Sequence, residues 1–599
     1  MKTFIKNIVH KNSVSFRYFY SYLGYRVFLY SSLSVLVGFL DGLGLAMFLP
    51  LLQMVDSNQV TSAHQESKLG FVTKAMESMG ISVTLTSVLI LMTLFFVLKG
   101  FLFFIQSRYG VRILQYFINT IRKNNLVRLN KVDFKYFIKS DIGKIQNTLT
   151  GETERLGMSY ASYFLTLQQG VMVIVYVGFA FFVDAKFALL VGVGGVMINY
   201  VFRSIYPKTK QASQELTKKN NELQGLLIQH VANYKYLKAT GLLQEYSVKL
   251  NQKIDEIKIV GRRIGTLVAI LKGTREPLLI IVVSLVIVIQ VNFFNSALGP
   301  ILISLLFFYR ALTSVVATQT AWNNFLVNSG SMENLKSFEK ELQENQQKES
   351  HTEAFSFTDS IALKQVAVHI DQARILSDIQ LKIEKNKTTA FVGESGSGKS
   401  TLLNVFSGLL AVSEGTIEID GRPIASLQNL NFQKKIGYIT QEVVIFNDTL
   451  YNNVTLWATK TEANLNLFYK AITEASLVAF VASYPEKEQV LLGNNGVNLS
   501  GGQRQRVSIA RELFKQPELL LLDEATSALD SETEQAIMAS INKLKGRLTI
   551  LTVAHRLSTI KEADKVVFVS GGRIQNVGTF EELIINEPEF KRMVQLQEL

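Results

Sequence analysis

Residues 393–401 read GESGSGKST, directly after the strand-like run TTAFV and at the start of a helical pattern. Glycines at this spacing let backbone N–H groups curl around phosphates, and the start of the helix adds a positive dipole end. Lys399 would reach the β- and γ-phosphates of a nucleotide, and the Ser400 hydroxyl would bind Mg²⁺. The stretch therefore predicts a loop that binds ATP and Mg²⁺, formed by Gly393, Glu394, Ser395, Gly396, Ser397, Gly398, Lys399, Ser400 and Thr401.

Polar residues also follow three apolar, strand-like runs further along the chain. LLLLDE at 519–524 is the pattern of a buried strand that ends in two carboxylates. We expect Asp523 to hold the Mg²⁺ shell and Glu524 to polarise the attacking water as general base. Gln441, in GYITQEVV, is placed to sense the γ-phosphate or the metal. His555, after LTILTVA, is placed to contact the γ-phosphate and orient the water.

LSGGQ at 499–503 supplies a serine hydroxyl and glycine N–H groups at a predicted helix start, which is a second anion site. Because it lies between a P-loop and LLLLDE, this run resembles the signature of ATP-binding cassette (ABC) proteins, and SALD at 527–530 matches the D-loop of that family. The resemblance implies that ATP is sandwiched between two cassettes. It assigns five further residues to nucleotide binding: Ser500, Gly501, Gly502, Gln503 and Asp530.

One chain carries one cassette, so the resemblance implies a dimer. Heterodimeric members of the family often have one site with a substituted base or histidine. Glu524 and His555 are both intact here, which favours a second copy of the same chain as partner. An intact half of a heterodimer is the alternative.

Two positions depart from the pattern of the family. An aromatic residue usually stacks on adenine upstream of the P-loop, where this chain has Ile370 with His369 beside it. We expect weaker nucleotide affinity or relaxed base preference, unless His369 or another side chain covers the adenine. The charged segment that usually precedes the signature is replaced by the uncharged Asn494 and Asn495, which indicates a domain contact through neutral hydrogen bonds or else neutral drift.

The apolar residues, 48% of the chain, concentrate before about position 325. A span needs about 20 mostly apolar residues. The predicted fold class is a membrane α-helical domain, with helices extending into the cytoplasm, followed by a soluble α/β P-loop ATPase domain. We expect a transmembrane domain over 1–335, a linker over 336–360 and the ATPase domain over 361–599. Six spans are predicted near 27–55, 84–106, 161–183, 187–205, 264–294 and 298–325.

The net charge of +13 does not indicate nucleic acid, because many of the cations lie between hydrophobic segments. That is where cytoplasmic loops of membrane proteins carry them. The chain has no cysteine, which excludes disulfides, thiolate metal sites and cysteine nucleophiles. The first twenty residues are basic and aromatic, so we expect the first span to act as an uncleaved signal.

Charged residues within the predicted spans mark a candidate substrate path, since such residues usually face a cavity or a partner. Asp41 and Arg310 fall well inside the hydrocarbon, roughly 21 Å and 18 Å along their helices by the α-helical rise. Either Arg310 binds an anionic headgroup in a polar cavity, or Asp41 and Arg310 form an ion pair that fastens two helices. Lys99 is expected to snorkel, and the inner edge of the fifth segment carries Lys272, Arg275 and Glu276.

Together these features are similar to those of bacterial ABC exporters of lipids, lipid-linked oligosaccharides and peptides. The resemblance implies ATP-driven export or flipping of an amphipathic lipid or lipid-linked sugar across the bacterial inner membrane. The ATPase domain would be cytoplasmic, and helix tips around 142–152 and 226–238 would carry its motion to the spans. A peptide or multidrug exporter is the alternative within the class, and an ATP-gated channel or regulatory subunit is the alternative outside it.

Overall fold

The computed structural model describes residues 15–48, 50–51, 76–183, 202–294, 298–347, 357–370, 373–424, 430–524, 531–554 and 556–598, with isolated positions between 185 and 200. By its internal contacts the chain forms two compact units, Met1–Gln346 and Gln347–Leu599. The first unit is helical and the second is α/β, and each is described by itself.

Long helices build the first unit. Residues 15–23 are helical, and a short π-helix at Thr148–Glu152 joins α4 to α5. The remaining helices are α1 (Arg26–Ala46), α2 (Leu85–Leu129), α3 (Phe134–Lys139), α4 (Ile142–Asn147), α5 (Thr153–Val183), α6 (Ile205–Ala232), α7 (Tyr234–Ala239), α8 (Leu243–Phe294) and α9 (Leu298–Glu344).

Within the described residues, three helical stretches are long and apolar enough to cross a membrane: Arg26–Ala46, Leu85–Leu129 and Ile142–Phe181. The predicted fifth and sixth spans lie on α8 and α9, and the predicted fourth, 187–205, lies mostly outside the described residues. Helix α2 has 45 residues. At the α-helical rise it measures roughly 68 Å, more than twice the thickness of a hydrocarbon core. It therefore continues well beyond the membrane.

Glycines set how closely α1 packs on its neighbours. A Cβ on Gly42 would lie 2.2 Å from the Phe179 ring of α5, and a Cβ on Gly44 would lie 3.1 Å from the Phe96 ring of α2. Real Cβ atoms do not approach other atoms as closely as the first of these distances. The run FLDGLGL thus brings three helices together, and it buries the intervening Asp41.

The expected helix tips contain short helices. α4 and the π-helix lie within 142–152, and α7 overlaps 226–238. The side chain of Asp133 caps α3, and that of Asp141 caps α4 by accepting from Lys144 N at 3.1 Å. α9 continues to Glu344, so the segment 336–360 begins as helix, and the first strand of the second unit starts at Ser360.

Two sheets form the second unit. Its strands are β1 (Ser360–Ile370), β2 (Ala373–Glu384), β3 (Thr388–Val392), β4 (Glu414–Ile419), β5 (Arg422–Ile424), β6 (Ile436–Ile439), β7 (Leu519–Asp523), β8 (Thr549–Val553), β9 (Lys565–Ser570) and β10 (Arg573–Gly578). The antiparallel sheet has the order β2-β1-β4-β5, and the larger sheet has the order β10-β9-β3-β8-β7-β6. Its strands from β9 to β6 are parallel, so the carboxyl ends of β3, β6, β7 and β8 meet at one edge.

Helices cover the larger sheet, which explains why β3 and β8 are buried along their whole length. The helices are α10 (Lys399–Phe406), α11 (Leu430–Gln433), α12 (Leu450–Thr455), α13 (Glu462–Glu474), α14 (Val478–Ala482), α15 (Gly501–Phe514), α16 (Ser531–Asn542), α17 (Leu557–Lys561), α18 (Phe580–Asn586) and α19 (Pro588–Glu598). The α/β class predicted for this part of the chain is confirmed.

Candidate ATP site

The P-loop joins β3 to α10, and its glycines adopt backbone conformations that other residues rarely adopt. Gly393 has φ +147°, and a Cβ there would lie 2.0 Å from the carbonyl oxygen of Val569. Gly398, the residue before α10, has φ +104°. Side chains are strained at both φ values, and at Gly393 there is also no room for one. The glycines of GESGSGKST therefore shape the loop as the spacing predicts.

The Lys399 ammonium group points back across this loop. Its Nζ donates to the carbonyl oxygens of Gly393 at 2.9 Å and Glu394 at 2.7 Å. Burial lowers the pKa of Lys399, while the carboxylates of Glu524 and Asp523 oppose that shift. Ser397 Oγ is buried and has no hydrogen-bond partner among the residues that the structure describes. A buried cation, an unpaired hydroxyl and a glycine cradle together fit a polyphosphate.

Oxygen atoms suited to Mg²⁺ meet beside Lys399. Ser400 Oγ lies 3.2 Å from Asp523 Oδ1. The Tyr438 hydroxyl lies 3.5 Å from the other carboxylate oxygen of Asp523 and 3.3 Å from Asn404 Oδ1. Mg²⁺ is held in such sites by one or two protein oxygens together with phosphate oxygens. The donor set fits the ion, and Ser400 and Asp523 are the residues that would hold it.

Gln441, which follows β6, contacts Glu524, which follows β7, at the same edge of the sheet. Gln441 Nε2 donates to Glu524 Oε2 at 2.8 Å, so two residues from separate parts of the sequence are brought together. Glu524 has φ +49°, which is uncommon for a residue other than glycine. His555 and Asp530, the other two residues assigned here from the sequence, lie outside the described residues.

The signature run forms the start of α15. Ser500 precedes this 14-residue helix, and its Oγ accepts from Gln503 N at 3.2 Å while Gln503 Oε1 accepts from Ser500 N at 2.9 Å. This capping box leaves the remaining N–H groups of the first turn available to an anion. Just upstream, Asn495 has φ +51°, a conformation that asparagine tolerates better than most residues. This backbone conformation is a physical reason for asparagine at position 495, one of the two uncharged residues.

Ile370 ends β1 and pairs with Ala373 at the start of β2. His369 Nε2 lies 3.9 Å from Glu414 Oε1, and both His369 and Ile370 are partly exposed. The structure thus places an aliphatic and an imidazole side chain at the end of β1. Which of them meets an adenine stays a prediction.

The ion pair between Asp41 and Arg310, one of the two alternatives for these charges, is not formed in this structure. Asp41 is buried and forms an ion pair with Lys99 of α2, and it also accepts a hydrogen bond from the Tyr176 hydroxyl of α5. Lys99 therefore does not snorkel away from the bundle, because the glycine-mediated packing of α1 places the Asp41 carboxylate within its reach. Arg310 is exposed and has no acidic partner within the described part of the chain. Lys272 and Glu276 are exposed as well, and the Arg275 side chain lies outside the description.

Sequence reasoning did not find Tyr176 or Tyr438. Tyr438 had a usable signal, since aligning IGYI with LLLLD as parallel neighbours places it opposite Leu521, two residues before Asp523. Burial, followed by the nearby charge of Asp523, raises the pKa of Tyr438 well above its usual range, so the hydroxyl stays protonated. Tyr176 had no such signal, because its partner depends on which helices meet.

A P-loop after β3, two carboxylates at the end of β7 in the same sheet and a capped signature helix define a cassette-type ATPase, and a helical membrane domain precedes it. The family described as "ABC transporter" matches residues 376–527, and "ABC transporter transmembrane region" matches residues 28–319. The heterocyst differentiation ATP-binding protein HepA of Nostoc sp. is 30% identical over 80% of this chain and 78% of its own. The chain therefore belongs to the ABC transporter family.

An ATP-dependent lipid A-core flippase of Hahella chejuensis is 28% identical over 84% of this chain and 86% of its own length. A solved structure, of a bacterial Atm1-family ABC exporter with ATP bound, matches with a TM-score of 0.79 and 20% identity, covering 96% of this chain and 99% of that one. The chain thus has the exporter fold. It is an ATP-binding membrane protein that couples ATP hydrolysis to export.

Proposed function

We propose that this half-transporter flips or exports a lipid-like amphipathic molecule with an anionic headgroup across the bacterial inner membrane, working as a homodimer with Mg²⁺ and ATP. The observation that carries the substrate class is the exposed Arg310 on α9 without an acidic partner among the described residues. A lipid-like substrate is also what a similar protein carries by name, the lipid A-core flippase.

The charge balance of the membrane domain supports this choice. Asp41 is neutralised by Lys99, whereas Arg310 lies roughly 18 Å from the start of α9 at Leu298, near mid-span. A cation at that depth is costly and usually marks a substrate path. An anionic headgroup would supply the missing counter-charge, and a cationic drug would not.

The proposal also assigns roles to the ATPase residues, supported by the contacts of the described ones and, at His555, by the sequence alone. Lys399 would bind the phosphates, Ser400 and Asp523 the Mg²⁺, with Gln441 beside them. Glu524 would act as general base on water with His555 as its helper. Ser500 and Gln503 would face the P-loop of a second copy. We propose no nucleic-acid partner.

The proposal is tested by ATPase activity in nanodiscs against lipids, lipid-linked sugars, peptides and drugs, with Glu524→Gln as the inactive control. We expect stimulation by anionic lipids, loss of that stimulation in Arg310→Ala, and partial recovery in Arg310→Lys. Lys258→Ala is the matched charge control, because Lys258 is 64% exposed on α8 and, within the described part of the chain, pairs with Asp255 alone. Undiminished stimulation in Arg310→Ala would contradict the headgroup assignment.

Active transport is tested separately from substrate class. Reconstituted protein should accumulate the stimulating substrate against its gradient, whereas an ATP-gated channel would only equilibrate it.

For the adenine contact, we expect Ile370→Tyr to lower the Michaelis constant for ATP, because stacking on a base is worth about 1–3 kcal/mol. An unchanged constant would mean that His369 or another side chain already covers the base.

A further inference from the structure

Tyr438 lies where the Mg²⁺-binding carboxylate is held. It belongs to β6 and pairs in parallel with Leu521 of β7. Its hydroxyl reaches the end of β7, 3.5 Å from Asp523 Oδ2, while Ser400 Oγ lies 3.2 Å from Asp523 Oδ1. Each oxygen of the carboxylate therefore has its own neighbouring hydroxyl. The two hydroxyls together restrict rotation of the Asp523 side chain.

The hydroxyl also contacts the P-loop helix. It lies 3.3 Å from Asn404 Oδ1 in α10, but a hydroxyl carries a single proton and can donate to one acceptor at a time. Rotating the Asn404 amide by half a turn, which exchanges its oxygen and nitrogen, would let Asn404 donate to Tyr438. The tyrosine proton would then be directed to Asp523, giving a chain from Asn404 through Tyr438 to the carboxylate.

The backbone of Tyr438 is fixed as firmly as its side chain. Tyr438 N donates to Glu512 Oε2 at 3.1 Å, and Glu512 is a buried residue of α15, the signature helix. Gly437 leaves no space on the other side, since a Cβ there would lie 2.9 Å from Leu520 Cδ1 and 3.1 Å from Glu512 Cβ. The strand cannot shift without disturbing α15 or β7.

We propose that Tyr438 is a positioning residue that orients Asp523 for Mg²⁺ and links this orientation to the P-loop helix and the signature helix. The inference rests on the proposed role of Asp523 as a Mg²⁺ ligand. Tyr438 does not touch the nucleotide in this proposal; it acts through the carboxylate.

The strand that carries Tyr438 also leads directly to a contact with the second carboxylate. Three residues after Tyr438, Gln441 donates to Glu524 at 2.8 Å. The two carboxylates at the end of β7 are thus both held by β6 and the residues that follow it. A displacement of this edge strand changes the metal ligand and the general base together.

The test uses the full-length protein in nanodiscs and the variant Tyr438→Phe, which removes the hydroxyl alone. Mg²⁺ dependence is measured in two ways: by titration of ATPase activity at fixed ATP, and by binding of a fluorescent ATP analogue with Mg²⁺ or with EDTA on a Glu524→Gln background. We expect the half-saturating Mg²⁺ concentration to rise about tenfold, the usual effect of removing a partner that orients a metal ligand. Binding in EDTA should not change.

Two further variants separate positioning from general damage. Tyr451→Phe is the matched control, because Tyr451 is buried in the same unit and its hydroxyl, among the described residues, donates to the Thr459 carbonyl alone, at 3.4 Å. Asn404→Leu, which keeps the tyrosine, should raise the Mg²⁺ requirement in the same direction. It also carries the test if Tyr438→Phe does not fold.

An unchanged Mg²⁺ requirement in Tyr438→Phe and Asn404→Leu would overturn the proposal. Equal loss of binding in Mg²⁺ and in EDTA would also overturn it, because the residue would then support the P-loop rather than the metal ligand. If instead Asp523→Ala leaves the Mg²⁺ requirement unaltered, the assignment of Asp523 fails. That result would count against the proposed function and is distinguishable from failure of Tyr438 alone.

Discussion

Gln441 Nε2 donates to Glu524 Oε2 at 2.8 Å, and so joins the loop after β6 to the residue after β7. Glu524 adopts φ +49°, a conformation that costs a residue with a Cβ roughly 1–2 kcal/mol. Strain of this kind persists where the surrounding structure holds it and is often found at functional sites. The hydrogen bond from Gln441 is one of the contacts that hold it here.

We therefore predict that Gln441→Ala lowers kcat for ATP hydrolysis by about tenfold, the equivalent of roughly 1.4 kcal/mol of lost orientation of Glu524. Glu524→Gln should lose at least about a hundredfold, because it removes the base itself. Steady-state ATPase assays in nanodiscs measure both. Gln575→Ala on β10, which removes a hydrogen bond to the Ser570 carbonyl at the end of β9, is the control. A Gln441→Ala enzyme with normal kcat would contradict this role.

The ion pair between Asp41 and Lys99 predicts a non-additive pair of mutations. The Asp41 side chain is 3% exposed and that of Lys99 27%, so Asp41→Asn should leave a half-buried cation without its counter-charge and cost about 3 kcal/mol. Adding Lys99→Met removes that cation and should restore most of the stability. Thermal unfolding of the detergent-solubilised protein measures the difference.

An exposed pair provides the control for this experiment. Lys258 and Asp255 are 64% and 66% exposed, so Asp255→Asn should change stability by less than about 0.5 kcal/mol. If the double variant Asp41→Asn with Lys99→Met is no more stable than Asp41→Asn alone, the unpaired charge of Lys99 is not the cause of the lost stability.

Gly42→Ala should destabilise the membrane domain. Its Cβ would lie 2.2 Å from the Phe179 ring, so α1 and α5 must move apart or the ring must turn. Overpacking of this kind typically costs about 1–3 kcal/mol. Gly178→Ala on α5 is the matched control, since a Cβ there meets nothing within 4 Å. Thermal stability measured by size-exclusion chromatography should fall for Gly42→Ala alone, and equal behaviour of the two variants would refute the packing argument.

Asp420 predicts an acid-dependent contribution to stability. Partial burial disfavours its charge, but hydrogen bonds from Thr358, Asp359 and Ser360 outweigh burial and lower its pKa from 3.8 to about 2. A lowered pKa in the folded state means that the carboxylate stabilises the fold above the unfolded pKa and loses this effect as pH falls through the folded value. The loss therefore lies between about pH 4 and pH 2.

Asp420→Ala should accordingly cost about 1.5–3 kcal/mol near neutral pH, the range for hydrogen bonds to a charged group. The gap between variant and parent should narrow below pH 4, as denaturant unfolding monitored at several pH values would show. Asp359→Ala removes a neighbouring carboxylate whose side chain is 73% exposed and serves as the control. A gap that stays constant down to pH 2 would contradict the assignment.

Much of the ATP site is local in sequence, and the sequence predicted it. The spacing of Gly393, Gly398 and Lys399 defines a loop whose conformation depends on neighbouring residues, so the pattern and the structure agree. The carboxylates Asp523 and Glu524 directly follow a strand that is recognisable by its apolar run. Tyr438 was missed because its function depends on the alignment of two strands that are more than eighty residues apart.

By itself, the sequence determined the order of a membrane-spanning helical domain and a cassette ATPase, together with the residues of the phosphate loop. Hydrophobic length and short glycine patterns are sufficient for this, because both act through the local chain. Only the tertiary structure decided the partner of Asp41, which is Lys99 and not Arg310. The choice depends on how closely glycine allows α1, α2 and α5 to approach, and such distances between helices are not contained in the spacing of residues along any one of them.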